Sequence, residues 1–270
     1  MGDSVEQAGR TAKNSTVMHV LARSGFVASG VLHIIIGVIA IALATGAGGG
    51  KEADQSGALA QVAQAPGGLF LLWAAVIGLA ALGIWLLLSA FLDRSWESKR
   101  TRSVHIVEHL AKGIVYLALA FTAYIFAIGG TTSSAESTSQ LGTTLLSTPG
   151  GVFVVVFIGL IVLALGGYMI YKGLSRGFEE DIRMPAPPAG VAVRILGVVG
   201  YVARGVALGA IGVLFLVGAA TNDPSKTTGL DGALKSFVSL PFGAVVLFAV
   251  GVGWILYGIY AFFRARLARL

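Results

Sequence analysis

Three seven-residue stretches decide the fold of this chain: GFVASGV at 25–31, EHLAKGI at 108–114 and GYVARGV at 200–206. They align without a gap, and the sixth position of each is glycine. Every copy has a proline 36 residues after that glycine, and a second glycine 17 residues after the proline. The matched positions are Gly30, Gly113 and Gly205, then Pro66, Pro149 and Pro241, then Gly83, Gly166 and Gly258. Self-similarity at fixed spacing indicates an architecture built from three copies of one unit.

The unit has the pattern of a helical hairpin that crosses a membrane. About 20 apolar residues suffice to cross the hydrocarbon layer as a helix. Apolar runs of this length lie at about 25–45, 67–92, 110–129, 151–171, 203–221 and 242–263. We therefore expect an all-α membrane protein with six transmembrane helices in three tandem hairpins, which can form a bundle with approximate threefold symmetry. The proline of each copy is expected in the first turn of the second helix, where its missing N–H would be unpaired in any case.

The composition excludes an ordinary soluble protein. Hydrophobic residues make up 56% of the chain and charged residues only 12%, against about 25% charged in typical globular domains. Many of the 38 glycines fall inside the apolar runs, where small residues let membrane helices approach closely. The sequence has no cysteine, which excludes disulfides, thiol catalysis and iron–sulfur clusters.

Basic residues distinguish the two ends of the predicted helices. Of the 19 lysines and arginines, 16 lie on one side of the six spans, and the other three are Lys51, Lys226 and Lys235. Because positively charged loops stay in the cytoplasm, we expect a bacterial cytoplasmic membrane protein with both termini in the cytoplasm. The net charge of +6 reflects this asymmetry, so the lipid bilayer is the expected partner and nucleic acid is not.

The chain is expected to divide into five segments. These are a disordered cytoplasmic tail at 1–18, hairpins at 19–94, 95–177 and 191–270, and a cytoplasmic linker at 178–190. Within the hairpins, the loops SGALAQVAQAPGG (56–68) and DGALKSFVSLPFG (231–243) have apolar residues at helical spacing. We expect a short amphipathic helix in each of these loops.

One turn of the second copy carries polar side chains that the other copies lack. His105, Glu108, His109 and Lys112 share one helix face because they are spaced i, i+3, i+4 and i+7. His-x-x-Glu-His matches a zinc-peptidase pattern, with His105 and His109 as metal ligands and Glu108 as base. The main interpretation is the charged start of a membrane helix, with Glu108 and Lys112 as an ion pair. A metal or proton-relay site is the alternative, and no cofactor is otherwise expected.

His33 lies inside the first span, in the slot that Tyr116 fills in the second copy. An ionisable group within a span is a candidate functional residue. In one interpretation, a neutral imidazole is hydrogen-bonded near Ser29, one turn earlier. In the other, His33 is a proton-sensitive residue that faces Tyr116 in a cavity of the bundle.

Two further slots hold basic residues near the cytoplasmic helix ends. Lys112 and Arg204 share the first, and Lys172 and Arg264 share the second. Together the four cations would form a collar. Its function is either anchoring of the helices by the positive-inside rule or binding of an anionic lipid headgroup or solute.

These motifs resemble those of a known family. GYVARGV, DQSGAL (54–59), the Pro-[Gly/Phe]-Gly step and LLW (71–73) are similar to domain-of-unknown-function family 1206. That family comprises bacterial membrane proteins, mainly actinobacterial, in which a two-helix unit occurs three times. The resemblance covers residues 20 to about 267, although the second copy has Glu108–His109 where the others have glycine and an aromatic residue. The resemblance implies the fold and the membrane location but no activity, so it assigns no catalytic residue.

The sequence therefore predicts a non-enzymatic membrane protein. It would be a structural or accessory component, or a protein that interacts with lipid or with a membrane protein partner. The first alternative is a small channel or transporter with a cavity between the hairpins. Candidate lining residues for that cavity are His33, Tyr116, Tyr124 and Tyr168. The second alternative is a membrane-embedded metal or proton site at the polar turn of the second copy.

Overall fold

A computed structural model describes residues 16–48, 50–92 and 99–268, without the side chains of 16–19, 21–22, 91–92 and 99–105. Most of the described residues are helical. The helices are α1 (Thr16–Ala44), α2 (Gln55–Gln64), α3 (Gly68–Leu92), α4 (Lys99–Ala127), α5 (Ser134–Leu146), α6 (Gly151–Leu174), α7 (Ala189–Thr221), α8 (Leu230–Val238) and α9 (Gly243–Leu267), with 3₁₀ segments at Gly177–Asp181 and Pro224–Lys226. Most of the tail predicted at 1–18 lies outside the described residues, and its last three residues begin α1.

Six of these helices are long and apolar enough to cross a membrane. The spans are Arg23–Ala44, Gly68–Ala90, Ile106–Ala127, Gly151–Leu174, Ala189–Thr221 and Gly243–Leu267. They lie in α1, α3, α4, α6, α7 and α9, which confirms the predicted all-α fold of three tandem hairpins. The three shorter helices, α2, α5 and α8, lie in the loops that join the two helices of each hairpin. We call these three helices the cap.

The proline of the first copy lies in a tight turn before α3. The Gly68 N–H donates a hydrogen bond to the Ala65 carbonyl at 2.8 Å, with Pro66 and Gly67 between them. Gly67 has a positive φ of 74°. Proline at the second position and positive φ at the third are the features of a type II turn. The expectation that the proline lies in the first turn of the second helix is therefore wrong, because Pro66 precedes Gly68, where α3 begins, and its fixed φ serves the turn.

The other two copies repeat this turn around Pro149 and Pro241, with hydrogen bonds of 2.9 Å across it. The third position is Gly150 in the second copy, with φ 81°, and Phe242 in the third copy, with φ 60°. For an L-residue with a side chain, this left-handed conformation costs roughly 1–2 kcal/mol. Phe242 therefore has a strained backbone conformation at a turn position that glycine occupies in the other two copies.

The matched glycines join each hairpin to the next one. The pairs are Gly83 with Gly113, Gly166 with Gly205, and Gly258 with Gly30. At Gly205, an added Cβ would lie only 2.6 Å from the Gly166 carbonyl oxygen, so the two backbones are in direct contact. Small residues make this approach possible in membrane bundles. The second helix of each hairpin thus pairs with the first helix of the following hairpin, and the third hairpin pairs with the first.

Within a hairpin, the two helices also touch in the first and third copies. A Cβ on Gly25 of α1 would lie 2.4 Å from the Gly78 carbonyl oxygen of α3. A Cβ on Gly200 of α7 would lie 2.7 Å from the Tyr257 Cα of α9. Glycine therefore closes both of these hairpins.

The second hairpin is open. Within the described part of the chain, α4 and α6 have no extended packing against each other. The slots of Gly25 and Gly78 are filled by Glu108 and Ile161 in this copy, and such side chains prevent the close backbone approach that glycine allows. The six spanning helices therefore follow one another in the order α4, α3, α1, α9, α7, α6, with a gap between the last and the first.

The interior of the bundle near the cap is packed with apolar side chains. Fully buried members of this core come from α1, α2, α3, α8 and α9: Ile36, Leu59, Leu79, Leu234 and Leu247. The cap helices thus contribute to the same core as the spanning helices. Packing on this core removes the apolar side chains of the cap helices from water, so the cap is an integral part of the bundle.

Hydrogen bonds between the loops hold the cap together. The Ala53 N–H donates to the Asp231 carboxylate at 2.8 Å, and the Ser133 hydroxyl donates to the Glu52 carboxylate at 2.7 Å. These two bonds connect the first copy to the third and to the second. The cap therefore joins all three copies at one end of the bundle, and three of the 19 basic residues, Lys51, Lys226 and Lys235, lie in these loops.

Asp54 caps the amino terminus of α2 from a buried position. Its Oδ1 accepts hydrogen bonds from the Gly57 N–H at 2.9 Å and the Ser56 hydroxyl at 2.7 Å, while Oδ2 is buried without a partner among the described residues. Burial raises the pKa of Asp54, although the bonds from Gly57 and Ser56 oppose this shift.

Candidate functional site

Charged side chains from both helices of the open hairpin meet at the basic end of the bundle. Glu108 on α4 forms an ion pair with Lys112, as their i,i+4 spacing predicts. The Lys172 ammonium on α6 lies 3.7 Å from the Glu108 carboxylate and 3.0 Å from the Asp181 carboxylate. Glu108 and Lys172 thus connect α4 with α6 at one end of the gap.

Asp181 reaches this position because the start of the segment 178–190 is folded onto the bundle. Phe178 and Ile182 are fully buried, and the Arg183 N–H donates to the Leu267 carbonyl at 2.8 Å. The sequence pattern of charged residues followed by prolines predicts a linker here. Its first residues instead form a 3₁₀ turn that presents a carboxylate to the cluster.

Asp181 is the counter-ion of two cations. Its carboxylate lies 3.0 Å from the Lys172 ammonium and 3.5 Å from the Arg264 guanidinium. Burial alone raises the pKa of Asp181, but the positive charges of Arg264 and Lys172 outweigh burial and hold that pKa below its usual range. Asp181 is therefore ionised at neutral pH.

The two arginines of the cluster stack on aromatic rings. The Arg204 guanidinium lies 4.3 Å from the Tyr257 ring centroid, and that of Arg264 lies 4.9 Å from the Phe26 ring centroid. Cation–π contacts of this kind favour a positive charge but do not neutralise it. Among the described residues, Arg204 has no carboxylate within ion-pair distance, and the buried Nε of Arg264 has no acceptor.

The charged cluster carries an excess of positive charge. Its cations are Lys112, Lys172, Arg204 and Arg264, and its carboxylates are Glu108 and Asp181. Within ion-pair distance these cations have only the two carboxylates among the described residues, and Arg204 has neither of them as a partner. The exposed Glu180 lies further out, within electrostatic range of Tyr168, so the cluster keeps a net positive charge. Because uncompensated charge is costly where water is scarce, this arrangement suits an anionic ligand.

His33 is buried beside the cluster, under two aromatic rings of α9. Its Nδ1 donates to the Ser29 carbonyl oxygen at 2.6 Å, which links the imidazole to the backbone of its own helix. The ring stacks on Trp254 with centroids 5.1 Å apart and contacts Tyr257 at 4.8 Å. The structure therefore places α9 aromatic rings around His33.

Tyr116, which fills the slot of His33 in the second copy, lies next to Ser29 and within electrostatic range of Arg204 and Arg264. His33 and Tyr116 therefore both border the charged cluster, from α1 and α4. Their assignment as a functional pair stays a prediction.

His105, Glu108 and His109 all lie on α4, as the sequence predicts. The His105 side chain is outside the described residues. In the part of the chain that is described, no three histidine, aspartate or glutamate side chains are arranged to hold a metal ion. Metal binding by His105 and His109 stays a prediction, whereas Glu108 has a clear structural partner in Lys112.

Sequence reasoning missed an aromatic group that supports the cluster. Tyr201, Tyr257, Tyr260 and Phe178 pack together with ring centroids 5.4–5.9 Å apart. The available signal was the i,i+3 spacing of Tyr257 and Tyr260, which places both rings on one helix face.

The repeat seen in sequence and structure corresponds to a described family. The family model Domain of Unknown Function (DUF1206) matches residues 24–93, 107–176 and 199–268. Each match starts six residues before Gly30, Gly113 or Gly205, which confirms the register of the repeat. The chain is also 33% identical over 248 residues to Uncharacterized protein YxxB of Bacillus subtilis (strain 168), across 90% of this chain and 88% of the relative. No solved structure matches the chain. With three matched copies that contain the glycine and proline slots of its helical hairpins, the chain belongs to the DUF1206 family.

Proposed function

We propose that this protein is a non-enzymatic membrane protein that binds an anionic phospholipid, whose headgroup is held by the charged cluster. The observation that supports this function is the net positive charge of the cluster at the end of the open hairpin, where Arg204 has no carboxylate partner among the described residues. Lysine and arginine at the membrane surface contribute about 1 kcal/mol each to the attraction of anionic lipid. Anionic lipid is therefore the natural counter-ion at this depth.

The same proposal includes the orientation of the chain. Loops rich in lysine and arginine remain in the cytoplasm, and 16 of the 19 basic residues lie on one side of the six spans in the sequence. The charged cluster would then face the inner leaflet of a bacterial cytoplasmic membrane, and the cap would face outwards.

A channel or transporter receives less support from this geometry. Tyr124 and Tyr168, two of the predicted lining residues, are 40% and 45% exposed. Tyr124 packs edge-on against Trp73, which is also exposed. A transport pathway would need polar groups that converge inside the bundle, and towards the cap the described interior is apolar.

Native mass spectrometry of the purified protein tests the proposed function. The protein is titrated with dioleoyl phosphatidylglycerol or dioleoyl phosphatidylcholine in the same detergent. We expect the anionic lipid to bind about tenfold more tightly, which corresponds to about 1.4 kcal/mol. Equal affinity for the two lipids would contradict a headgroup site in the charged cluster.

Two arginine variants provide a matched comparison. Arg204→Gln should abolish most of the preference for phosphatidylglycerol, because Arg204 has no described carboxylate partner and its charge is available to the ligand. Arg266→Gln removes the same charge from an exposed position at the same end of the bundle. It should keep the preference, and an equal loss in both variants would indicate nonspecific attraction to the basic end.

A further inference from the structure

Three apolar slots have a different environment in the second hairpin than in the other two. Val115 on α4, together with Leu165 and Tyr168 on α6, expose 56, 48 and 45% of their surface. Their six equivalents expose 8% or less: Leu32 and Ala207, Leu82 and Tyr257, Trp85 and Tyr260. The positions that are interior in the closed hairpins are thus accessible in the open one. We call the surface formed by Val115, Leu165 and Tyr168 the seam.

The seam differs from an ordinary lipid-facing surface. At slots that point outward from the bundle in every copy, exposure is similar throughout: Val38, Phe121 and Val213 all expose about half of their surface or more. At the seam, only the second copy is exposed. The difference follows from the side chains of Glu108 and Ile161, which replace the glycines that close the first hairpin.

One end of the seam is bounded by charge. Glu108 and Lys172 bridge α4 and α6 at 3.7 Å, and Tyr168 is within electrostatic range of both side chains. An occupant of the seam is therefore apolar along most of its length and meets an excess of positive charge at one end. Its access is sideways, from the hydrocarbon layer.

We propose that the seam receives an acyl chain of an anionic phospholipid, with the phosphate of the same molecule in the charged cluster. This inference rests on the proposed function for the headgroup and adds a site for the tail. Charge complementarity favours this occupant: an acyl chain matches the apolar wall, and its phosphate supplies the missing negative charge at the correct end. A second copy of this chain would bring a basic end to the same place and would increase the repulsion.

Blocking the seam with a bulky side chain tests this inference. Leu165→Trp places an indole in the seam without changing any charge. By native mass spectrometry, we expect this variant to bind dioleoyl phosphatidylglycerol at least tenfold more weakly than the wild type. Binding of dihexanoyl phosphatidylglycerol, whose short chains do not extend along the seam, should be unchanged.

Leu160→Trp is the matched control. Leu160 lies on the same helix, about 140° around it from Leu165, and is exposed like its equivalent Ile77 in the first copy. This variant should bind the long-chain lipid normally. Leu165→Ala, which enlarges the seam, should also keep long-chain binding, and circular dichroism establishes that all variants are folded.

The outcomes separate the tail site from the headgroup site. Long-chain binding that survives Leu165→Trp, or falls equally in Leu160→Trp, would overturn the seam as a tail site. A co-purifying protein that Leu165→Trp displaces in place of lipid would overturn it too. If phosphatidylglycerol and phosphatidylcholine bind equally well and Leu165→Trp weakens both, the seam inference is supported and the headgroup proposal fails.

Discussion

Substitution of Gly205 by alanine should weaken the contact between the second and third hairpins. The added methyl group would lie 2.6 Å from both the Gly166 carbonyl oxygen and the Ile170 Cγ1, and 2.9 Å from the Ile170 nitrogen. Ordinary contacts begin at about 3.4 Å, so the overlap is about 0.8 Å at the carbonyl oxygen. Two of the three atoms belong to the backbone, which means that α6 and α7 must separate.

The size of the effect follows from comparison with Gly209, four residues further along α7. A Cβ at Gly209 would meet nothing within 4 Å. Both substitutions gain the helix propensity of alanine, up to about 1 kcal/mol, and only Gly205→Ala pays for overpacking, about 1–3 kcal/mol. The propensity term cancels in the difference, so Gly205→Ala should be about 1–3 kcal/mol less stable than Gly209→Ala.

Unfolding by sodium dodecyl sulfate in mixed micelles, followed by circular dichroism, measures this difference. The equivalent glycines give a ranking as a further check. At Gly30 the nearest atom is a backbone oxygen at 2.8 Å, and at Gly113 it is the flexible Leu87 side chain at 2.8 Å. The losses should therefore decrease in the order Gly205, Gly30, Gly113. Equal stability of Gly205→Ala and Gly209→Ala would refute close glycine packing between the hairpins.

Three further predictions concern the turns, the charged cluster and the cap. Phe242→Gly should stabilise the protein by about 0.5–1 kcal/mol, since it relieves a left-handed residue but adds freedom to the unfolded chain; a lower midpoint in the same unfolding assay would contradict this. Asp181→Asn should cost at least about 1 kcal/mol at pH 7, because Lys172 and Arg264 lose their counter-ion. Since the folded pKa of Asp181 is lowered, its contribution to the free energy of unfolding is present above pH 3.8 and is lost as the pH falls through the folded pKa. A loss of stability in the variant that does not depend on pH would argue against this role. Asp54 has a raised pKa, so its ionisation lowers stability as the pH rises from 3.8 through the folded value. Asp54→Asn keeps a good helix cap and should give a flatter profile of stability against pH, whereas an unchanged slope would show that Asp54 does not titrate in this range.

The fold could be predicted from the sequence because the repeat and the apolar runs independently indicate the same architecture. Spacing of 36 residues between glycine and proline defines the hairpin, and run length defines the spans. The turn at Pro66 was misplaced because proline suits both a first helical turn and a type II turn. The positive φ of Gly67 distinguishes a type II turn from a first helical turn. The presence of a glycine in the sequence does not by itself predict a positive φ.

The candidate site could be predicted only in part from the sequence. The i,i+4 pair of Glu108 and Lys112 follows from helix geometry, and the common slot of Lys172 and Arg264 follows from the alignment of the three copies. The carboxylate that pairs with both of these cations, Asp181, belongs to a segment with the composition of a linker, and its position depends on burial of neighbouring apolar side chains. Contacts between distant segments of this kind have no local sequence signature.

The glycine contacts between hairpins have a consequence for how such a chain can arise. Each hairpin uses its second helix to contact the first helix of the next hairpin, and the third hairpin contacts the first. The three contacts therefore form a closed ring, as in a cyclic homotrimer with heterologous interfaces. A chain of three fused copies is the covalent form of that assembly. Identical subunits would carry the same residue in every slot, so all their hairpins would be closed or all would be open. Fusion allows one copy to acquire Glu108 and Ile161 while its neighbours keep glycine. An otherwise symmetric ring can therefore have a single open hairpin.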